Sequence, residues 1–302
     1  MDLHHLRLFH TLAVEQSYTK AADSLFISQP ALSMQIKKFE DELGVKLFDK
    51  VGNKNVLNDN GNLLFEYTQK IFSTIEEAKY QLIKKADCIS GTVNIGGSNT
   101  SGTYILPKII GAFKNLYPNV NVNLHVSDTN EISHLILESK LDFALNGGTL
   151  KYGNNIYIEK LMEDQIVLAV SPQNKLAGKE YINSSDLDGN NFITHERHSQ
   201  LYLLAEKIIE EMHFPSEITM TFGNIDAIKQ AVSANLGVSL IPLSAVSFEL
   251  KIGIIKELKI KNKSWSYPHN LIYNKNRYLS PAARKLMDMV RSSITSSSSV
   301  NM

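Results

Sequence analysis

The sequence predicts a multidomain chain: an all-α winged helix-turn-helix with a linker helix, followed by a two-lobed α/β domain. Three observations lead there. Residues Tyr18 to Gly44 read as two short helices parted by a tight turn, the second with a polar outer arc that carries no acid. A long helical pattern with a narrow apolar seam comes next. From Gly91 onward strand and helix patterns alternate, and the alternation occurs twice.

At 302 residues the chain is too long for one small core, and two or three domains are expected. The N-terminal stretch Met1 to Phe9 is polar and contains histidine, and no 18-residue apolar run occurs. Neither a signal peptide nor a membrane span is indicated, so a cytoplasmic address is expected. A single cysteine, Cys88, excludes an internal disulfide and any cysteine-based zinc cluster.

In the first helix Ala21, Ala22 and Leu25 face inward, the two alanines allowing a second backbone to come close. Phe26 and Ile27 make the turn. Ser28 is then a natural N-cap, with Pro30 in the first turn, where its missing N–H costs nothing. Leu32, Ile36, Phe39 and Leu43 recur at helical steps and form the buried side. The opposite arc carries Pro30, Ala31, Ser33, Met34, Lys37 and Lys38, flanked by Gln29 and Gln35. Gln and Ser are able to read base edges and Lys neutralises phosphates, so Ser28, Gln29, Pro30, Ser33, Met34, Lys37 and Lys38 are the expected DNA contacts. An ordinary helical hairpin of a globular core has similar spacing but does not need these outward residue types.

Gly52-Asn53 signals a turn between short extended pieces, which reads as a wing carrying Lys50 and Lys54 over the phosphate backbone. Asn58 is placed to cap the following helix, expected from Gly61 to Ala86. There Leu64, Ile71, Ile75, Ala78 and Leu82 form a seam with near-heptad steps, which predicts a helix-to-helix dimer contact. A dimer would present two recognition helices to an imperfect palindrome with half-sites about 10 to 10.5 base pairs apart or a small multiple of that. Net charge is zero, and residues 1–90 hold eleven Lys and Arg against twelve Asp and Glu, so non-specific DNA affinity is expected to be modest.

The second half reads as strands at Val93–Ile95, Val120–Val126, Leu141–Leu145, Ile166–Val170, Phe192–Thr194, Ile218–Phe222, Ile254–Leu258 and Pro268–Tyr273. Helices are expected at Ile105–Leu116, Ile132–Glu138, Leu201–Met212, Ile225–Ala234 and Ser280–Ile294. The last strands are expected to cross back to the first lobe and form a hinge. The domain boundaries that follow are 1–60, 61–90 and 91–294, with lobe I at about 91–161 and 268–294 and lobe II at about 162–267. The serine-rich residues 295–302 read as a disordered tail.

The run AAxxLFxSQPALSxQIxxFExELGVxLF, from Ala21 to Phe48, closely resembles the helix-turn-helix of the LysR family of bacterial transcription regulators. The segments YILPKIIGAFKNLYPNVNVNL, ESKLDFAL and AVSANLGVSLIP resemble the periplasmic-binding-protein-like effector domain of the same family. Together they carry the resemblance to about Ile294, with local similarity to regulators of carbon fixation and of sulfur assimilation. The resemblance implies a dimer of dimers that bends DNA and touches RNA polymerase when activating. The chain departs from the family pattern at Lys50, where Arg is usual, and at Asn58, where Thr is usual. Lys keeps the charge and loses the planar fork.

In open α/β lobes, ligands bind outside the carboxyl ends of strands beside helix starts. The runs Ser98-Asn99-Thr100-Ser101 and Gly223-Asn224-Ile225 stand at such places, with Thr194 ending a strand and Asn146 and Gly147 on the same lip. An anionic metabolite suits two facing helix dipoles. Thr100 and Ser101 resemble the family's effector-contacting Ser/Thr pair. Helix capping accounts for the hydroxyls equally well.

His195, Glu196, Arg197 and His198 lack a second ligand group at metal spacing and read as a solvated loop. Ser199 occupies the place where peroxide-sensing members of the family have a reactive cysteine. No Walker A loop, GxSxG, HExxH or Cys/His nucleophile pattern is present, and GGSNTSG lacks dinucleotide spacing, so neither catalysis, a metal nor a cofactor is expected. The functional expectation is a DNA-binding regulator controlled by a small, anionic effector. The rival is a cytoplasmic solute-binding protein with no DNA function.

Overall fold

The computed structural model describes residues 1–51, 54–83, 89–149, 152–215 and 217–298. It divides into two compact units. One comprises Met1–Cys88, Glu138–Lys140 and Asn274–Pro281, and the other Ile89–Leu137, Leu141–Tyr273 and Ala282–Met302.

The first unit opens with a helix that composition concealed. α1 (Leu3–Glu15) is capped by Asp2, whose carboxylate accepts from the His5 N–H at 2.8 Å. Its Leu6, Phe9, Leu12 and Ala13 are buried at helical spacing. α2 (Tyr18–Ser24) buries Ala21 and Ala22 completely enough for close helix packing. Phe26 turns the chain in left-handed conformation, φ 56°, with its ring 96% exposed. α3 (Gln29–Leu43) begins as expected, Ser28 Oγ accepting from the Ala31 N–H at 3.3 Å, and ends at Gly44, φ 71°.

Glu40 of α3 faces inward rather than into solvent. Its carboxylate accepts from the Leu47 N–H and from Lys46 Nζ, each at 2.8 Å, and so ties the recognition helix to the start of the hairpin. That hairpin is β1 (Phe48–Val51) against β2 (Lys54–Leu57), antiparallel, with Phe48 opposite Leu57. The Gly52-Asn53 turn lies outside the described residues.

α4 (Asp59–Ile83) starts two residues before the expected Gly61, and residues 84–86 of the expected helix lie outside the described residues. Asn58 does cap it, Oδ1 accepting from the Gly61 N–H at 3.0 Å. A Cβ on Gly61 would stand 2.1 Å from the Leu47 carbonyl, so this close helix-to-wing approach requires glycine. Two residues of the expected seam, Leu64 and Ile71, are partly buried, with Phe65 and Phe72, against the core formed by α1 to α3. Ile75 is half-buried and Ala78 exposed, while the Leu82 side chain lies outside the described set.

The second unit is built on a seven-stranded sheet and a smaller parallel pair. Its elements are β3 (Gly91–Ser98), α5 (Leu106–Leu116), β4 (Val120–Ser127), α6 (Thr129–Leu137), β5 (Phe143–Gly147) and β6 (Ile156–Val170). They continue as β7 (Phe192–His195), α7 (Gln200–Glu211), β8 (Ile218–Phe222), α8 (Ile225–Ser233), β9 (Ser239–Pro242), α9 (Leu243–Ile252), β10 (Lys256–Leu258), β11 (Trp265–Asn274) and α10 (Pro281–Ser298). The large sheet runs β10-β6-β11-β5-β3-β4, with β9 also paired to β6, and β7 pairs with β8 in parallel.

Four expectations change. β6 is fifteen residues long, its first half unseen because the charged residues Glu159, Lys160, Glu163 and Asp164 break an apolar reading. β9 forms within the family-like run that ends at Pro242, and α9 follows it as a helix with no counterpart among the expected elements. A wide helical turn, Ser101–Ile105, precedes α5. α10 continues to Ser298, so residues 295–298 are helical rather than a tail; residues 299–302 lie outside the described set. No helix among the described residues is long and apolar enough to cross a membrane.

Candidate functional site

The outward arc of α3 is exposed as its spacing requires. Ser28, Gln29, Pro30, Ser33, Met34, Lys37 and Lys38 all face solvent, while Leu32, Ile36 and Phe39 seal the opposite side. Ser28 spends one lone pair on its cap and keeps its hydroxyl proton available. Lys50 is exposed on β1; the Lys54 backbone is in β2 and its side chain lies outside the described set. The arc is therefore a convex helix face of amide, hydroxyl and ammonium groups, of a width that fits a B-DNA major groove.

In the second unit a cleft of about 460 Å³ opens at the carboxyl ends of β3 and β7. Ser98, Asn99 and Thr100 form one lip, as expected. Behind them Ser98 Oγ accepts from the Gly147 N–H at 3.0 Å and meets Ser101 Oγ at 3.1 Å. The two glycines that follow β3's core allow this tight stacking: a Cβ on Gly97 would strike the Gly102 backbone at 2.5 Å.

Several expected residues do not reach the cleft. Ser101 is fully buried, its hydroxyl 2.8 Å from His269 Nδ1. Asn146 is fully buried, Nδ2 donating to Thr129 O, Ser133 Oγ and Tyr152 Oη at 3.1 to 3.2 Å, and so braces α6. Gly147 sits beneath Tyr267, whose ring would lie 2.4 Å from an added Cβ. Thr194 is buried one residue short of the lining. Gly223 and Asn224 frame α8, Asn224 Oδ1 capping it through the Ala227 N–H at 2.8 Å, and Ile225 is core.

The helix starts that do face the cleft are those of α6 and α7. Asp128 Oδ1 accepts from the Asn130 and Glu131 N–H groups at 2.8 and 3.1 Å, and Ser199 Oγ accepts from the Tyr202 N–H at 3.1 Å. Thr129, His134, Gln200 and Tyr267 join the lining. The expected helices begin at Ile132 and Leu201, inside the observed starts at Thr129 and Gln200, so their first turns and caps go unread in the sequence; Ser127-Asp128-Thr129 is the cap signal that marks the first of them.

The charged cluster after β7 is corrected at one residue. His195, Glu196, Arg197 and His198 all line the cleft, and Glu196, Arg197 and His198 are exposed as in a solvated loop, whereas His195 ends β7 and is 4% exposed. Burial pushes the His195 imidazole below its ordinary pKa, with Glu196, Asp128 and the Gly223 backbone pulling the other way. Two of the three cleft acids are already engaged: Asp128 caps α6, and Glu131 meets His125 Nε2 at 3.5 Å and the Ser127 hydroxyl. Arg197 supplies a permanent positive charge at the mouth.

Ser101 Oγ lies 2.8 Å from His269 Nδ1, whereas His269 Nε2 stands 3.5 Å from Asp164 Oδ2 without a hydrogen bond and Asp164 accepts instead from the Ser244 N–H and hydroxyl. The serine is 0% exposed, so its hydroxyl is closed to solvent and ties β11 to the turn after β3. Among the described residues no group of three His, Cys, Asp or Glu is placed to hold a metal ion.

Comparison with known proteins follows this division. Residues 3–62 match the model of the bacterial regulatory helix-turn-helix protein, lysR family, and residues 87–295 match the LysR substrate binding domain. A probable RuBisCO transcriptional regulator of Cyanophora paradoxa is 34% identical over 288 residues, covering 94% of this chain and 89% of the relative. A full-length OxyR variant from Pseudomonas aeruginosa superposes with a TM-score of 0.75 at 20% identity, covering 98% of each chain. The Synechocystis PCC6803 CcmR regulatory domain in complex with 2-PG superposes with a TM-score of 0.62 at 20% identity, covering 68% of this chain and 98% of that one.

Proposed function

The chain belongs to the LysR family of transcriptional regulators, and from that membership we propose that α3 and Lys50 hold an operator while a small anionic metabolite in the cleft controls the complex. The observation that carries the reading is the acid-free arc from Gln29 to Lys38, on which Gln29, Pro30, Ser33, Met34, Lys37 and Lys38 are exposed. Gln29, Ser33 and Met34 read base edges, and Lys37, Lys38, Lys50 and Lys54 neutralise phosphates. A solute-binding protein without DNA function would have no use for such a face.

In the cleft, Ser98, Asn99 and Thr100 offer hydroxyl and amide donors opposite two helix N-termini and Arg197, which together favour negative charge. The effector acts by binding one arrangement of the two lobes better than another, since only differential affinity shifts an equilibrium. The 2-PG complex of the CcmR domain and the RuBisCO-regulator relatives make 2-PG the first effector to test. Dimerisation through α4, a dimer-of-dimers assembly, contact with RNA polymerase and a cytoplasmic address complete the proposal.

The test is capture of genomic fragments by the purified full chain at low ionic strength, followed by footprinting with and without 2-PG. A protected imperfect palindrome whose footprint changes with 2-PG is the expected result. Failure to retain any fragment overturns the DNA role, and a footprint indifferent to 2-PG and to other anionic metabolites overturns the control.

A further inference from the structure

His195 stands apart from the other groups of the cleft. It ends β7, lines the cleft, and is 96% buried, yet its hydrogen bonding is incomplete. Nε2 lies 3.4 Å from the Asn99 amide nitrogen, and Nδ1 is buried with the Gly223 backbone beside the ring but no hydrogen bond of good geometry. With the Asn99 amide donating to Nε2, the ring is neutral and holds its proton on Nδ1. A buried polar atom so poorly matched costs stability and calls for an explanation.

The surroundings explain why the ring is a switch rather than a fixed charge. From the loop before α6 it faces Asp128; Glu131 and His134 of α6 line the same cleft; its own loop contributes Glu196, Arg197 and His198, and Gly223 adds its backbone. Asp128 and Glu131 are committed to other partners, and the Glu196 side chain is exposed. Burial therefore dominates, and the imidazole is held neutral in the empty cleft. An incoming oxyanion reverses that balance, because it replaces lost hydration with a full counter-charge at contact.

We propose that His195 is the charge-sensing, specificity-determining residue of the effector cleft, neutral when the cleft is empty and protonated as an oxyanion group enters beside it. The inference rests on the reading of the cleft as an effector site and adds to it a rule of selection. The cleft discriminates a carboxylate or phosphate-like group from a neutral isostere, and each binding event takes up one proton from solution. Affinity then rises as pH falls.

The experiment uses the full chain labelled on its nine histidines, with inorganic sulfate, fully ionised from pH 5.5 to about 8, and acetate, whose small protonated fraction below about pH 6 is corrected for, as probes. The ring carbon signal of His195, assigned by its loss in H195N, is titrated with and without each anion. The expected result is an upward move of the His195 midpoint by about one unit or more, equivalent to about tenfold tighter binding of the anion to the charged ring. Sulfate alone moving it indicates a tetrahedral oxyanion, and acetate alone a carboxylate. Proton uptake by the unmodified protein, measured calorimetrically in two buffers of different ionisation enthalpy, checks the same point without any variant. H195N and H195Q are expected to bind both anions with reduced proton uptake and a weaker gain in affinity as pH falls, His134 and His198 of the same cleft being unchanged. An unmoved midpoint while the anion binds, as seen by a raised melting temperature, overturns the role of His195 alone. Histidine signals and melting temperature both indifferent to sulfate and acetate at pH 5.5 overturn the cleft as an oxyanion site, and the inference with it.

Discussion

The ammonium of Lys229 lies 4.6 Å above the ring centroid of Tyr104, and the Tyr104 hydroxyl donates to Asp226 at 2.8 Å. Tyr104 comes from the wide turn after β3 in lobe I, whereas Lys229 and Asp226 belong to α8 in lobe II, so the pair bridges the lobes within the second unit. Lys229 is 6% exposed and its charge is matched by Glu249 at 2.8 Å, Asp226 at 3.0 Å and the Ala245 carbonyl at 3.0 Å.

Replacing Lys229 with Met therefore leaves the Glu249 carboxylate buried without its partner. A loss of about 3 kcal/mol in unfolding free energy is expected, read by urea titration. The double change Lys229→Met with Glu249→Leu is expected to recover much of it. Tyr104→Phe removes only a hydrogen bond to the exposed Asp226 and is expected to cost about 1 kcal/mol or less.

On the DNA side, Lys37→Ala is expected to weaken binding to all sequences and to lower the slope of log affinity against log salt by about one unit. Gln29→Ala or Ser33→Ala is expected to relax base preference and leave that slope unchanged. Gel shifts over a salt series with specific and scrambled duplexes separate the two, and a Lys37 change that altered sequence choice alone would reverse the assignment.

His10 ties α1 to α4 through a 2.9 Å contact from Nδ1 to Thr68 Oγ1 and stacks on Phe65. Burial lowers its pKa to about 4. The unfolded chain, with an ordinary imidazole near 6.5, thus binds more protons between these values. Stability from the neutral ring is full above about pH 6.5 and is lost as pH falls toward 4, by at most about 3 kcal/mol. Denaturation of the first unit followed from pH 7 to 4 checks this, and His10→Gln is expected to flatten the acid limb.

Gly147→Ala places a methyl group 2.4 Å from the ring of Tyr267, which lines the cleft and is 4% exposed. The ring must shift or the strand must bend. Loss of effector response with retained operator binding is expected, measured by footprinting with and without a metabolite that shifts the footprint of the unmodified protein.

The helix-turn-helix was readable because each of its signals is local. Ser28, Pro30 and Gly44 mark the ends of α3, and the apolar steps identify its inner face. The cleft was half readable. Ser98 to Thr100 follow a strand visible in the sequence, but the opposing wall depends on α6 and α7 starting beside it, a matter of tertiary placement. His195 illustrates the limit: in sequence it heads a charged tetrad that reads as surface, and only its position at the end of β7 under Asn99 buries it. Leu64 and Ile71 show the converse, since an apolar stripe on a helix does not say whether its partner is the same chain or another copy.

β6 runs unbroken for fifteen residues, neighbouring β11 in the large sheet and pairing with β9 and β10 over Ile166–Val170. Both lobes consequently share one backbone ladder. Neither is able to denature without stripping hydrogen bonds from the other, so calorimetry of this half should record a single endotherm, and amide exchange should be slowest along this strand. A compound gripping either wall would then protect the pair.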